Sequence, residues 1–134
     1  MTQEDKKLLL KVFSTMLHYG LIVSPTDCGN ARLVGCLLDS VLLQDIRTGK
    51  DYDKPWDIEY VKPYLRSMSS MTEEELVDYK SLEKQCEVLP TFAYISVSKC
   101  VIFDWLNTHH FDYRGLIEKG LAIEVTKENN PYEY

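Results

Sequence analysis

The sequence predicts an α+β fold: a small antiparallel sheet, curled enough to be barrel-like, with an N-terminal helix before it and two to three C-terminal helices after it. Three observations carry that prediction. Residues 3–18 space their apolar positions with a helical period, the stretch from Leu21 to Leu65 breaks into short β-rich runs punctuated by Gly, Pro and Asp, and the helical period returns after Thr72. At 134 residues the chain is expected to form a single globular domain over 1–126, with 127–134 as a loose polar C-terminal tail.

The first helix follows from Leu8, Leu9, Val12, Phe13, Met16 and Leu17, which fall on one face; Thr2 stands as its N-cap, Glu4 and Asp5 suit its first turn, and Tyr19-Gly20 ends it. Leu21 to Val23 form a short strand stopped at Ser24-Pro25. Ala31 to Leu38 and Val41 to Asp45 read as a hairpin turning at Asp39-Ser40, and Arg47 to Asp57 as a polar loop. Ile58 to Leu65 contains Pro63, which cannot donate to a ladder, so it is expected at the sheet edge.

Thr72 and Glu75 make a capping box for a helix carrying Leu76, Tyr79, Leu82 and Cys86 and ending before Pro90. Thr91 to Val97 is expected to be a strand or extended link. Ser98 then caps a buried helix whose stripe is Val101, Ile102, Trp105 and Leu106, with Trp105 and Leu106 in the core. A polar corner follows at His109 to Arg114. Asp112 caps a short helix over Tyr113 to Lys119, Gly120 closes it, and Leu121 to Val125 alternate as a terminal strand.

Composition excludes several classes of function. A net charge of −6 sets the overall field against direct nucleic-acid binding, and the longest apolar runs are far too short for a membrane span. The four cysteines have no CxxC spacing and Met1 is followed at once by polar residues, which points to a cytoplasmic chain with reduced thiols. The chain has no GxGxxG, Walker, GxSxG or HExxH pattern, so catalytic residues and cofactors are not assigned.

Two blocks, YVKPYLRSMSSMTEEE from Tyr60 to Glu75 and FDWLNTHHFDYRGLIEKGLAIEV from Phe103 to Val125, resemble small uncharacterised proteins of phages and prophages of Bacteroides-type gut bacteria. Ser67 departs from the proline usual in that pattern. The resemblance covers about a third of the chain and brings no catalytic or cofactor-binding positions. It implies a mobile-element protein acting inside a bacterial host cell.

His109, His110 and Asp112 are the one tight set of potential metal ligands, imidazole with carboxylate suiting zinc or iron. A helix-end histidine facing the dipole and an aspartate capping the next turn explain the same residues without a metal. Cys100 reads as a core thiol, nine residues before His109. Arg114 suits an ion pair with Asp104 or Asp112, or an interface anchor beside Tyr113. Trp56, set between Pro55 and Asp57 among Asp45, Asp51, Asp53 and Glu59, marks a partner contact in an otherwise polar loop.

The expectation is therefore a small intracellular binding or adaptor protein engaging a host or phage protein, counter-defence being one such role, with Trp56, Tyr113 and Arg114 as contact residues. The alternatives are a metal-dependent enzyme centred on His109, His110 and Asp112, and an acidic mimic of nucleic acid.

Overall fold

A computed structural model describes residues 1–87 and 99–132, with side chains over 1–85 and 101–132. The expected strand at Thr91 to Val97, the Ser98 cap and the side chains of Cys86 and Cys100 lie outside the described residues. The fold is α+β: helix α1 (Gln3–Met16), then strands β1 (Ile22–Pro25), β2 (Ala31–Cys36), β3 (Ser40–Asp45) and β4 (Trp56–Asp57). A 3-10 turn (Ile58–Tyr60) leads into β5 (Val61–Leu65), and helices α2 (Glu73–Glu87) and α3 (Lys99–Thr108) and strand β6 (Ile123–Glu124) complete it.

The sheet runs β4-β3-β2-β1-β5-β6, antiparallel as expected except for the parallel β5–β6 pair. Its curl follows from one short connection. In a flat sheet β4 and β5 would stand about 19 Å apart, yet only Ile58 to Tyr60 join them. A step of that length reaches roughly 14 Å fully extended and about 8 Å as a 3-10 turn. The sheet must bend until its fourth and fifth strands approach each other. Backbone bonds on either side of the turn hold the bend, from Ile58 N to Asp39 O at 3.3 Å and from Thr26 N to Tyr60 O at 2.8 Å.

Helix α1 closes the open side of this curl. Thr2 Oγ1 accepts from Asp5 N at 3.0 Å as the expected N-cap, and the buried stripe Leu9, Val12, Phe13 and Met16 meets Val23, Leu33, Val41, Leu43, Val61 and Leu65 from the strands. β2 and β3 alternate buried and exposed positions, as one-sided strands must.

Pro63 corrects the edge-strand expectation. It lies in β5, opposite Val23 of β1, with β6 on the other side. Proline is tolerated there because β6 pairs only with Tyr64 and Leu65, leaving Pro63 beyond the end of that ladder. Within the segment expected to be a loose tail, Tyr132 is docked. Tyr132 is buried, and its hydroxyl accepts from Ile22 N at 3.0 Å and donates to Tyr64 O at 2.8 Å. Ile22 and Tyr64 are the next facing positions after Val23 and Pro63, so this hydroxyl replaces a missing rung between β1 and β5.

Helix α2 is tied to the sheet by one fork. Arg66, just past β5, donates to both oxygens of Glu75 at 2.7 and 2.6 Å, while Glu75 also accepts from Thr72 N at 3.0 Å in the expected capping box. Arg66 holds the Glu75 carboxyl at about 2, against an ordinary 4.5, and Thr72 adds to the same effect. The unfolded chain therefore takes up this proton first as pH falls. The pair's stabilisation is complete above about pH 4.5 and is lost as pH falls through about 2. Glu75→Gln is expected to cost about 2 kcal/mol at neutral pH, and urea melts should show the gap from the parent closing across that acid window. A gap that stays constant to the lowest pH would contradict the pairing.

Candidate functional site

A concave surface where aromatic and charged groups converge is built by the chain that leaves β3. Asp45 reverses it: its carboxylate accepts from Thr48 Oγ1 at 2.9 Å, its carbonyl from Gly49 N at 2.9 Å, and its own N–H donates to Lys50 O at 2.8 Å. Gly49 makes the reversal possible with φ of 71°. The returning strand bonds Tyr52 N to Leu43 O at 2.9 Å and then pairs Trp56 with Val41. Tyr52 and Trp56 thus stand on one side, ring centroids 6.1 Å apart and tilted by 45°.

Together with Cys28 from the β1–β2 turn, these rings line a groove of about 870 Å³, flanked by Asp45, Asp51 and Asp53 and by Lys50 and Lys54. Both rings are half-buried, with part of each packed on the core. Burial, then the nearby Asp45 and Cys28, push the Tyr52 hydroxyl upward, so it stays protonated. Among the described residues neither the Tyr52 hydroxyl nor the Trp56 indole N–H has a hydrogen-bond partner, and neither is sealed from solvent. The Asp51 and Asp53 carboxylates likewise accept no hydrogen bond and join no ion pair there.

The sequence reads as a polar loop here, with Trp56 as its marked contact residue. The structure turns Trp56 into the edge strand β4 and brings Asp45, Asp51 and Asp53 to it, but not the other two acids. Asp57 caps the 3-10 turn through Glu59 N at 3.0 Å, and Glu59 pairs with Lys6 at 3.2 Å. Tyr52 escaped the sequence reading. The signal was present in DYDKPW, where two aromatics four residues apart interrupt a polar stretch.

The His109 to Arg114 corner is a helix terminus of high structural demand. His110 takes the left-handed conformation, φ 59°, with Phe111 N bonded to Leu106 O at 3.0 Å and His110 N to Asn107 O at 3.1 Å. That is the hydrogen-bond pattern of a glycine-type helix stop. A histidine stands there because its ring is needed. Its Nε2–H donates to Tyr19 O at 2.6 Å and its face stacks on Tyr132 at 3.9 Å. Burial lowers the His110 pKa, leaving the ring neutral, so the expected charge–dipole role does not apply to it.

His109 and Asp112 are similarly engaged, whereas the buried Arg114 Nε has no hydrogen-bond partner among the described residues. His109 Nδ1–H donates to Trp105 O at 2.8 Å, and the Asp112 oxygens accept from Leu116 N and Ile117 N, each at 2.9 Å. The expected helix over Tyr113 to Lys119 is instead an irregular stretch with one closed turn, Leu121 N to Leu116 O at 3.0 Å. Among the described residues no group of three or more His, Cys, Asp or Glu side chains could hold a metal ion. Arg114 makes no ion pair with Asp104 or Asp112; Asp104 accepts from the Tyr19 hydroxyl, and the Arg114 guanidinium lies 5.2 Å over the Tyr113 ring. Tyr113 itself donates to Asn107 Oδ1 at 2.8 Å and stacks on half-exposed Phe103.

The expectation of a buried helix fails for α3. Leu106 is buried, but Val101 and Phe103 are exposed and Trp105 is only half-buried, between Tyr79, His109 and Phe111. Asp112→Ala should cost about 1–2 kcal/mol, since two amides lose their cap, with Asp112→Asn losing less. Thermal melts of the two variants check the order.

No described helix is long and apolar enough to cross a membrane. Compared with protein-family models, curated proteins and solved structures, the chain matches none.

Proposed function

We propose that this chain is a non-enzymatic binding or adaptor module of a mobile element, engaging a host or phage protein through the groove around Tyr52 and Trp56, with counter-defence as a role such a module serves. One observation carries the reading: two half-buried rings, each with an unpartnered polar hydrogen, stand beside two unpaired carboxylates on an open surface. Trp and Tyr in that setting supply large contact area at small entropic cost. The corner offers no comparable set, since its imidazoles, the Asp112 carboxylate and the Tyr113 hydroxyl are all engaged in holding the fold.

The likeness of the Tyr60–Glu75 and Phe103–Val125 blocks to phage and prophage proteins supports the setting. Both blocks build the frame, through Arg66, Glu75, His110 and Asp112, and neither enters the groove. A frame of this kind can carry a groove suited to its own partner.

Affinity capture from producing cells tests the reading. The parent is expected to retain a specific partner, and Trp56→Ala to weaken that capture by about 30-fold, the effect of losing a hot-spot aromatic. A urea melt must first show the variant folded. Unchanged capture by a folded Trp56→Ala protein, or turnover of a substrate by the parent, would overturn the proposal.

A further inference from the structure

We infer that the occupant of the groove is an extended, proline-containing peptide segment bearing lysine or arginine. This rests on the reading of the groove as a protein-binding surface and goes further, because the groups left open there select among the ways a peptide can be held.

A peptide added as an extra strand needs free backbone along a sheet edge. The edge of β3 has none to give at this place: its groups are taken by Lys50, by Tyr52 and by β4, which is itself only two residues long. What remains open are side-chain donors on aromatic faces, the Trp56 indole N–H and the Tyr52 hydroxyl, with ring centroids 6.1 Å apart and planes tilted by 45°, so that the pair presents an uneven aromatic surface to the groove. A polyproline-type segment is the complement of that arrangement. It has no internal hydrogen bonds, presents outward carbonyls that need donors, and offers rigid apolar ring edges to aromatic surfaces at little ordering cost.

Charge sets the second half of the specificity. Asp51 and Asp53 lie at the groove unpaired, and the chain carries a net −6. Lys50 and Lys54 are the only cations among the groove-lining residues, outnumbered by Asp45, Asp51 and Asp53. A segment with flanking lysine or arginine gains both local pairing and attraction at long range, whereas an acidic segment meets repulsion.

Three synthetic peptides separate the elements: a proline-rich peptide with two arginines, the same peptide with glutamates for arginines, and a glycine-serine peptide with the two arginines retained. Each is titrated into the full chain while the Trp56 indole and Tyr52 amide resonances are followed. The arginine-proline peptide is expected to shift both signals and to bind at least about tenfold more tightly than either control. The exposed double variant Asp51→Lys/Asp53→Lys, which leaves the packed rings in place, should lose about tenfold, with the loss greater at low salt. Equal binding of the glutamate or glycine-serine peptide overturns the inference, as does the lack of any shift with the arginine-proline peptide. In those cases partner capture that still depends on Trp56 would leave the groove as the binding surface with another occupant, while capture independent of Trp56 would remove both readings.

Discussion

Replacing Phe111 by alanine is expected to destabilise the protein by about 3–5 kcal/mol, the usual cost of deleting a buried phenylalanine. Phe111 is fully buried where three parts of the frame meet. Its backbone neighbours exchange bonds with Arg66, from Arg66 N to His110 O and from Asp112 N to Arg66 O, each at 2.8 Å, so the corner extends the edge of β5. Its ring stacks on Trp105 at 5.7 Å and lies beneath the Arg66 guanidinium at 4.4 Å. The substitution therefore leaves a cavity and also uncovers the Arg66–Glu75 fork. A melting temperature lower by roughly 10 °C or more is expected. Trp105→Ala should cost about half as much, because that ring is already partly in solvent. Thermal melts giving the opposite order would show that the helix, and not the corner, holds the core.

Tyr132→Ala is expected to cost nearly as much, about 3 kcal/mol, although the residue lies in a stretch that reads as a polar tail. The ring seals the end of the β1–β5 ladder and stacks on the neutral His110 ring. Tyr132→Phe isolates the hydroxyl. It keeps the stack but leaves Ile22 N–H and Tyr64 C=O without the bridging group, at about 1–3 kcal/mol. Urea midpoints of the two variants measure ring and hydroxyl separately. A Tyr132→Ala protein as stable as the parent would contradict the docking of Tyr132.

Local signals were legible in the sequence because they are chemical and short-range. The Thr2 cap of α1, the Thr72–Glu75 capping box and the capping role of Asp112 all depend on residues within a few positions of one another, whereas α1 ends at Met16 with Leu17 as its C-cap, before the expected stop at Gly20. What the sequence does not display is the second partner of a residue already explained. Glu75 completes its capping box and also forks Arg66; His110 ends a helix and also binds Tyr19, near the far end of α1. Pro63 reads as an edge residue only when its neighbour is unknown: the alternation of Leu121 to Val125 marks a terminal strand, but not that β6 is the two residues Ile123–Glu124 or that it pairs with Tyr64 and Leu65. Tyr132 looked like tail because one buried aromatic among polar residues has no pattern. The groove was half legible: Trp56 and its acids stood out, but bringing Tyr52 to the same face requires the reversal at Asp45 to Lys50.

Hydrogen exchange of the chain with and without its captured partner tests the central claim most directly. Slowed exchange is expected at residues 50–56 and around Cys28 on binding, with the corner from His109 to Asp112 unchanged because its amides are already bonded in the free protein. Protection confined to the corner or to the exposed Phe103 face of α3, with residues 50–56 exchanging as before, would contradict it.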